Sequence, residues 1–576
     1  MPAAAMNFRW TVSRTNPEYV EYISRLTGLS SPVSQTLINR GIKTPGQITS
    51  FLNPDISGLS DPYGLSGMPE AVKRISAAIN KKERILVHGD YDADGVTATA
   101  IVIDTLRKLG ADALYYIPDR ALGYGMGLEG VRRAKESGVS LIITVDCGIT
   151  AFEAASAART MGIDVVITDH HEPAVLDGKP ESLPEASAII NPKVGQKDSP
   201  LSILSGAGVA FKLSQALLGN KIENARGLLD LAALGTAADV VPLVCDNRVL
   251  VKEGCNLICS GARPGIRALR QAAGIKANGI TASTLQFMLI PRINAAGRIA
   301  DASDVVKLLL TDSGDEAAGL AEWLNGLNKQ RQDIGESVYD QAMEMIRAYG
   351  PDAAASGALV VGAEGWHPGV LGIVAARIAD AFYRPAFVFS IKDGVAKGSA
   401  RSIPSFDVHA GLNSCSRILG SYGGHKQAAG LSLPASGLDA FREMISRIVL
   451  DTIPADDLVP SIRIDAALRI SEINSGLIDE IARLEPFGCE NEEPLFGARG
   501  LEVSQARIVG SNHLKMHLRQ QGRGMDSIGF DMGGMLDHFG NGDIIDAAFL
   551  PVMNEWEGGR KMQLNLRAVR PSANGI

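Results

Sequence analysis

Between about residue 70 and residue 250, short apolar runs alternate with segments of helical apolar spacing. The runs are rich in Ile and Val and lie within RILVHGD, ADALYYIPD, SLIITVDCG, IDVVITDHH and ASAIINP. Runs of this length and composition predict buried strands, and the amphipathic segments between them predict helices. Strands that alternate with helices indicate an α/β fold with a doubly wound, mostly parallel sheet.

The rest of the chain carries other patterns. Helical spacing marks the start of the chain, and the long amphipathic segments after residue 300 are typical of a connector between two lobes. A second, smaller α/β pattern begins at GALVVGAEGWHPGVLG, and short alternating runs after PADDLVP predict a small antiparallel barrel of the OB-like type. We therefore predict a helical prefix at 1–50, an α/β domain at 51–300, a helical connector at 301–350, a second α/β domain at 351–452 and an OB-like barrel at 453–576.

The charge balance restricts the possible partners. The chain has 576 residues and a net charge of −8. A uniformly basic surface for nucleic acid is therefore excluded, and a polyanion would have to bind in a local groove or through bound cations.

The cysteines and the apolar stretches indicate the compartment. Of the six cysteines only Cys255 and Cys259 lie close together, and a structural zinc site needs two more ligands nearby. We interpret this pair as ordinary helix residues in a reducing compartment. Apolar stretches of about 18 residues and a signal-peptide pattern are missing, so the sequence predicts a cytoplasmic protein with no membrane contact.

Carboxylates and imidazoles follow three of the predicted strands. They are His88, Asp90, Asp92, Asp94, Asp146, Asp169, His170 and His171. Asp239 lies beside a further short apolar run in ALGTAADVVPL. Because the carboxyl ends of parallel strands meet at one edge of a sheet, where such folds bind their ligands, we expect these side chains to converge.

Converging carboxylates raise one another's pKa unless a cation compensates their charge. A single Asp at a strand end is usually a turn or helix cap, so the prediction depends on four such clusters in one domain. Oxygen and imidazole ligands without thiolate favour Mn²⁺ or Mg²⁺ over zinc. The sequence therefore predicts a divalent metal centre.

The motifs HGDYDADG, VDCG and TDHH resemble the successive motifs of the DHH phosphoesterase superfamily. Further motifs resemble the RecJ family of bacterial single-stranded-DNA exonucleases over almost the whole chain: IPDR, GYGM, GAGVAFKL, ALGTAADVVPL, PRINAAGR, GWHPGVLGIVAARI, GSARS, GGHKQAAG and EPFGCENEEPLF. The resemblance implies a DHH domain, a DHHA1 domain and a C-terminal OB-like domain. It also implies 5′-to-3′ hydrolysis of single-stranded DNA to 5′-mononucleotides, in repair and recombination.

The same resemblance implies a role for each site residue. One ion, Mn²⁺ or Mg²⁺, would be held by Asp94, Asp146, His170 and Asp239. A second ion would be held by Asp92 and Asp146, and His88 would be a further ligand. Asp90 would orient a ligand or a water, and His171 would contact substrate or assist proton transfer. Phosphate and DNA would be bound by Arg120, Arg298, His367, Ser399, Arg401 and His425.

The second α/β domain is expected to face the predicted metal centre and to bind phosphate there. The Arg401 guanidinium is planar and can donate two parallel hydrogen bonds to phosphate oxygens. A cationic set follows two predicted strands of the barrel: Arg507, His513, Lys515, His517, Arg519 and Arg523. These residues fit either a single-strand-binding surface or a solvated charged edge.

Two other classes of function stay open. One is a small-substrate phosphohydrolase, such as a pyrophosphatase or a nuclease of very short oligonucleotides, although the prefix and the barrel favour a longer polymer. The other is a catalytically silent DHH-like scaffold in a replication assembly. Such a scaffold would be recognised by the loss of metal ligands. We expect a monomer that binds single-stranded DNA. A single-strand-binding protein and a helicase are further expected partners, although the sequence identifies neither.

Overall fold

The structure is a computed structural model that describes residues 8–120, 123, 125–176, 179–195, 199–276, 279–349, 356–556 and 559–572. The chain divides into two units. The parallel-sheet unit comprises Ser50–Gln330 and Leu484–Glu492, and the barrel unit comprises Met1–Thr49, Arg331–Arg483 and Glu493–Ile576. None of the helices in the described ranges is both long and apolar enough to cross a membrane.

The strands and helices of both units are numbered in chain order. The strands are β1 Arg9–Val12, β2 Ile85–His88, β3 Ala113–Tyr116, β4 Leu141–Val145, β5 Asp164–Thr168, β6 Ala174–Leu176, β7 Lys179–Ser182, β8 Ala188–Ile190, β9 Leu359–Glu364, β10 Ala386–Lys392, β11 Val395–Arg401, β12 Ser421–His425, β13 Ala428–Pro434, β14 Ser461–Ile464, β15 Ala466–Ala467, β16 Phe496–Val509, β17 His513–Gln520, β18 Arg523–Gly529, β19 Ile544–Trp556 and β20 Gly559–Pro571. The helices are α1 Pro17–Thr27, α2 Ser31–Asn39, α3 Pro45–Leu52, α4 Met68–Asn80, α5 Ala93–Lys108, α6 Leu128–Glu136, α7 Phe152–Thr160, α8 Gly206–Leu217, α9 Ile222–Ala225, α10 Leu229–Ala238, α11 Cys245–Ser260, α12 Pro264–Ala272, α13 Ala282–Thr284, α14 Ile290–Ile299, α15 Ser303–Leu310, α16 Gly314–Ala348, α17 Leu371–Phe382, α18 Val408–Ser414, α19 Leu438–Thr452 and α20 Ser475–Ala482.

The core of the parallel-sheet unit is a five-stranded parallel sheet in the order β3-β2-β4-β5-β8. Side chains alternate between two apolar cores: Ile85 and Val87 of β2 pack with α4, α5 and α8, whereas Leu86 packs with α6 and α7. Helices on both faces confirm the predicted doubly wound fold. The chain winds in opposite directions from β2, so the gap between β2 and β4 is the switch point where such sheets bind ligands.

The barrel unit contains a second, mixed sheet in the order β12-β13-β11-β10-β9. Only the β9–β10 pair is parallel. Helix α17 and the second half of α16 pack on one face of this sheet, and α18 and α19 pack on the other. These observations confirm the predicted smaller α/β domain, and α15 and α16 confirm the helical connector.

A closed barrel is formed by β16, β17, β18, β20 and β19, with β19 pairing back to β16. The predicted barrel is therefore confirmed, but the expectation of wholly antiparallel pairing was wrong, because β18 and β20 are parallel. A closed ring of five strands cannot alternate direction at every step, since an odd ring must contain one pair with the same direction.

The prefix contains α1, α2 and α3, but it begins with β1, which pairs in parallel with β14. The sequence pattern did not predict β1, because its partner lies about 450 residues further along the chain. The exact domain bounds stay predictions. Cys259 lies on α11 with Cys255, and no cluster of potential metal ligands among the described residues contains either thiol.

Candidate metal centre

The turn between β2 and α5 holds two carboxylates by backbone hydrogen bonds. Asp92 caps the N-terminus of α5, and its Oδ1 accepts a hydrogen bond from the Gly95 amide at 3.0 Å. Asp94 is buried in the first turn, where its carboxylate accepts from the amides of Gly206 at 2.7 Å and Ala207 at 2.9 Å. Those amides begin α8, and a helix N-terminus stabilises negative charge. The Asp94 carboxylate therefore has a fixed orientation.

Asp146 follows β4 in an unusual backbone conformation. Its φ of 59° lies in the left-handed region, which side chains with a Cβ rarely adopt. Gly206 packs directly against it, since a Cβ added at Gly206 would lie 2.4 Å from Asp146 Oδ1. A glycine is thus required in the first turn of α8 so that this helix can approach the carboxylate.

The end of β5 carries Asp169, His170 and His171. Asp169 Oδ1 lies 2.7 Å from His171 Nδ1, and Oδ2 accepts from the Ile149 amide at 2.9 Å. Burial alone would raise the pKa of Asp169, but the hydrogen bond and the charge of His171 lower it below its ordinary value. The same contact outweighs burial at His171 and raises the pKa of that imidazole. Asp169 therefore orients His171, a role that we did not assign from the sequence.

Side chains from three segments converge on His170. Its Nε2 lies 3.1 Å from Asp146 Oδ1, 3.5 Å from Asp239 Oδ2 and 3.9 Å from Asp94 Oδ2. Asp239 comes from the C-terminal end of α10 and not from a strand. Potential ligand atoms lie within 4.8 Å of one another in three groups: Asp94, His170 and Asp239; Asp90, Asp92 and Asp146; and Asp146, His170 and His171.

The electrostatics of this cluster fit a divalent cation. Burial, followed by neighbouring carboxylates, raises the pKa of Asp94 to about 7 and that of Asp239 to about 8, and it raises the pKa of Asp90 and Asp146 well above the ordinary value. Burial lowers the pKa of His170 to about 3, so its ring is neutral and can act as a ligand. Asp90 Oδ1 and His170 Nε2 are buried without a hydrogen-bond partner among the described residues. Oxygen and imidazole donors of this kind suit Mn²⁺ or Mg²⁺.

His88 differs from the other predicted ligands. Side chains alternate along β2, so His88 lies on the same side as Leu86, towards α6. Its ring packs edge-on against Tyr116 at 5.2 Å, and Cys147 Sγ lies 3.8 Å from Nδ1. Burial lowers the pKa of His88 to about 4. None of the three groups of described residues contains His88, and its role as a ligand stays a prediction.

Two predicted phosphate-binding arginines belong to the same unit. Arg120 is exposed, and its guanidinium lies 5.1 Å from the centre of the Tyr91 ring. Arg298 is half-buried in the last turn of α14. The Asn294 side chain on the same helix accepts a hydrogen bond from the Ala93 amide at 2.8 Å. Helix α14 therefore packs on the turn that carries Asp92 and Asp94, a positioning contact that the sequence did not reveal.

The other four predicted phosphate ligands lie in the barrel unit. Arg401 Nη1 donates to Ser399 Oγ at 3.3 Å, and a Cβ added at Gly372, in the first turn of α17, would lie 3.0 Å from both side chains. His425 on β12 and Arg401 on β11 both pair in register with Ala428 of β13, which lies between them. His367 Nδ1 accepts from the Gly369 amide at 3.1 Å and caps the turn that leads into α17.

The cationic residues of the barrel lie along β17. His513, Lys515, His517 and Arg519 alternate with buried apolar residues and therefore face outwards. Asp526 compensates His517, whose Nδ1 lies 2.8 Å from the carboxylate, and Glu502 pairs in register with Arg519. Lys515 instead pairs in register with Arg507, and neither forms an ion pair with a carboxylate among the described residues, whereas His513 at the same end lies 3.6 Å from Asp531.

Comparison with known proteins assigns all three domains. Family models match for the "DHH family, N-terminal domain" at residues 84–236, the "DHHA1 domain" at 355–451 and the "RecJ OB domain" at 464–568. The single-stranded-DNA-specific exonuclease RecJ of Bacillus subtilis is 39% identical over 98% of this chain and 71% of its own length.

Two solved structures of RecJ from Thermus thermophilus are also similar. The complex with Mn²⁺ has a TM-score of 0.84 and 31% identity, and the match covers 98% of this chain and 80% of that chain. The complex with Mg²⁺ has a TM-score of 0.78 and 30% identity, over 98% and 79%. With this identity over nearly its whole length, the chain belongs to the RecJ family of exonucleases.

Proposed function

We propose that this chain is a metal-dependent exonuclease that degrades single-stranded DNA from the 5′ end, releases 5′-mononucleotides and acts in DNA repair and recombination. The observation that carries the proposal is the buried convergence of Asp94, Asp146 and Asp239 on His170 in a RecJ-family chain. Such a cluster is costly without cations, and a silent scaffold has no reason to keep it.

The arrangement supports a site for two ions. Asp94, His170 and Asp239 would hold one ion, and Asp92 would hold the other, with Asp90 beside it. Asp146 belongs to a candidate group on each side and would contribute to both. When bound, Mn²⁺ or Mg²⁺ would activate a water and neutralise charge on the phosphoryl oxygens. The two amides at the start of α8 hold Asp94, and the packing of Gly206 holds Asp146.

His171 is suited to act on the substrate. Asp169 Oδ1 lies 2.7 Å from its Nδ1, which fixes the ring and keeps a proton on that nitrogen, and this carboxylate raises the pKa of the imidazole. We propose that His171 contacts a phosphoryl oxygen or passes a proton to the leaving group, and that Asp90 orients a water or a ligand.

The variant His171→Gln tests this role. It should retain the stabilisation of the fold by metal while losing turnover, and equal loss of both would contradict the role.

A polymer substrate is favoured by a groove on the barrel. Its volume is about 1000 Å³, and its lining includes His513, Lys515, Lys561 and the exposed ring of Phe530. It lies over β17 and β18, the region through which OB folds bind oligonucleotides, and cations with an aromatic ring suit a single strand.

The polarity of digestion tests the proposed function. With Mn²⁺ and a 5′-labelled single strand, labelled mononucleotide should appear from the earliest time points. A 3′-labelled copy should give a descending ladder of labelled fragments. The opposite pattern, a ladder from the 5′-labelled strand, would show attack from the 3′ end and contradict the proposal.

Arg401 tests the phosphate-binding role of the barrel unit. If Arg401 contacts a phosphate, Arg401→Ala should weaken single-strand binding and lower turnover. The log–log salt dependence of binding should also become flatter by about 0.7, the value for one lost phosphate contact on a single strand. Arg417→Ala, a basic residue in the short turn after α18, is the control. Unchanged slope and rate in Arg401→Ala would place the phosphate contact elsewhere.

We further propose that the chain acts as a monomer and that a helicase and a single-strand-binding protein present its substrate. Light scattering during gel filtration checks the first part, and a mass of two chains would contradict it. Addition of a helicase to a duplex digest checks the second part, and an unchanged rate would contradict it.

A further inference from the structure

A second cavity lies at the other end of the barrel from the groove. Its volume is about 560 Å³, and it is lined by residues of β1, β16, β19 and β20 and of the segment after β14, all within the barrel unit. On β20, residues from 561 to 565 line the groove and residue 570 lines this cavity, so at least about 17 Å of extended strand separates the two sites. The cavity is therefore distinct from the surface through which OB folds bind nucleic acid.

The charges of the cavity are unbalanced. Four arginines line it, against the carboxylates of Glu472 and Asp546. Glu472 pairs with Arg469 at 3.5 Å, and the buried Asp546 pairs with Arg570 at 3.3 Å. The remaining two, Arg14 and Arg499, form no ion pair with a carboxylate among the described residues. Two exposed guanidinium groups are thus left to bind an anion.

The wall between these charges is apolar. It includes Trp10, Ile464 and Leu468, and the Arg570 guanidinium lies 4.5 Å from the centre of the Trp10 ring. An anion bound here would place its apolar part against this wall. A nucleotide unit has both parts, because phosphate matches the guanidinium fork and the base has an apolar face.

We propose that this arginine cavity binds a nucleotide unit of the single-stranded substrate, at a site separate from the metal centre and the barrel groove. Arg14 and Arg499 contact the phosphates, and the base lies against the wall that contains Trp10. This proposal rests on the proposed function, which supplies the strand. A strand long enough to occupy both sites is bound more tightly and with a steeper salt dependence than one that reaches only the groove.

The test compares the binding of two strands in EDTA, where the strand is not cut: one of about 30 nucleotides, and a dinucleotide, which is too short to occupy both sites. The double variant Arg14→Ala/Arg499→Ala should weaken binding of the long strand about tenfold and flatten its salt dependence by about 1.4, the sum of two phosphate contacts. Both arginines are exposed, so the melting temperature should not change.

The double variant Arg9→Ala/Arg567→Ala is the matched control. It removes two arginines from β1 and β20 that lie outside the cavity and pair with Asp457 and Glu493. Equal effects of the two double variants would overturn the proposal, as would a loss that is the same for the dinucleotide and the long strand. Turnover of the long strand by the wild-type protein with Mn²⁺ tests the proposed function separately. Its absence would count against that function and not against the cavity.

Discussion

Replacing Asp146 by Asn should lower turnover on a single strand at least about a thousandfold with either Mn²⁺ or Mg²⁺. Asp146 lies 3.1 Å from His170 and belongs to a candidate ligand group on each side of the cluster, so its loss removes a ligand from both proposed ions. The amide has the same shape but no charge, and it binds a hard cation poorly. Release of labelled mononucleotide is the measurement.

The same change should stabilise the metal-free protein. Burial and the charges of Asp94 and Asp92 raise the pKa of Asp146, so its ionised form opposes folding when no cation is present. A folded-state pKa above the unfolded value means that this cost is present at neutral pH and disappears as the pH falls towards about 4, where the unfolded carboxyl is protonated too. We expect Asn to raise the free energy of unfolding at pH 7 in EDTA by about 1 kcal/mol or more, and to give no gain near pH 4.

Asp164→Asn is the control for both effects. Asp164 begins β5, at the opposite edge of the sheet, where it pairs with Arg74 at 2.6 Å. It should leave turnover unchanged and should not stabilise the metal-free protein. An Asp146→Asn variant that retains more than about a tenth of the wild-type rate would remove Asp146 from the catalytic centre.

The positions of most site residues could be predicted from the sequence because the local pattern determines them. A buried parallel strand ends where its apolar run ends, so the residues that follow β2, β4 and β5 had to lie at one edge of the sheet. Alternation within β2 could also have shown that His88, two residues after Leu86, faces the α6 side. The resemblance implies His88 as a metal ligand, whereas the structure places its ring beside Tyr116.

Contacts between distant segments could not be predicted in this way. Asp94 is held by the start of α8, more than a hundred residues later, and Asp239 reaches the cluster from the end of α10. The motif GAGVAFKL does not show which carboxylate its glycines approach. The sequence of β1 contains no pattern that identifies β14 as its pairing partner. The cavity with Arg14 and Arg499 depends on that pairing, and no local pattern indicated it.

A blunt duplex should be degraded at least about a hundredfold more slowly than the single strand of the same sequence. Asp94, Asp146 and His170 are 2%, 3% and 5% exposed, whereas Asp92 is exposed, so the cluster opens to solvent only at its rim. A phosphate that reaches such a cluster must come from a strand that has left its partner. Each base-pair step costs about 1.4 kcal/mol to open, so freeing two or three nucleotides lowers the reactive population by roughly 10²–10³.

The chain has no Walker A motif, GxxxxGK followed by Ser or Thr, with which it could drive strand separation by hydrolysing nucleoside triphosphate. If attack begins at the 5′ end, as proposed, the rate should therefore depend on how easily that end unpairs and not on the duplex beyond it. A duplex with three mismatches at the labelled 5′ end should recover most of the single-strand rate, whereas the same mismatches at the other end should not. Degradation of the blunt duplex within about twofold of the single strand would show that paired DNA enters the site directly, and the buried cluster would then have to open before it binds substrate.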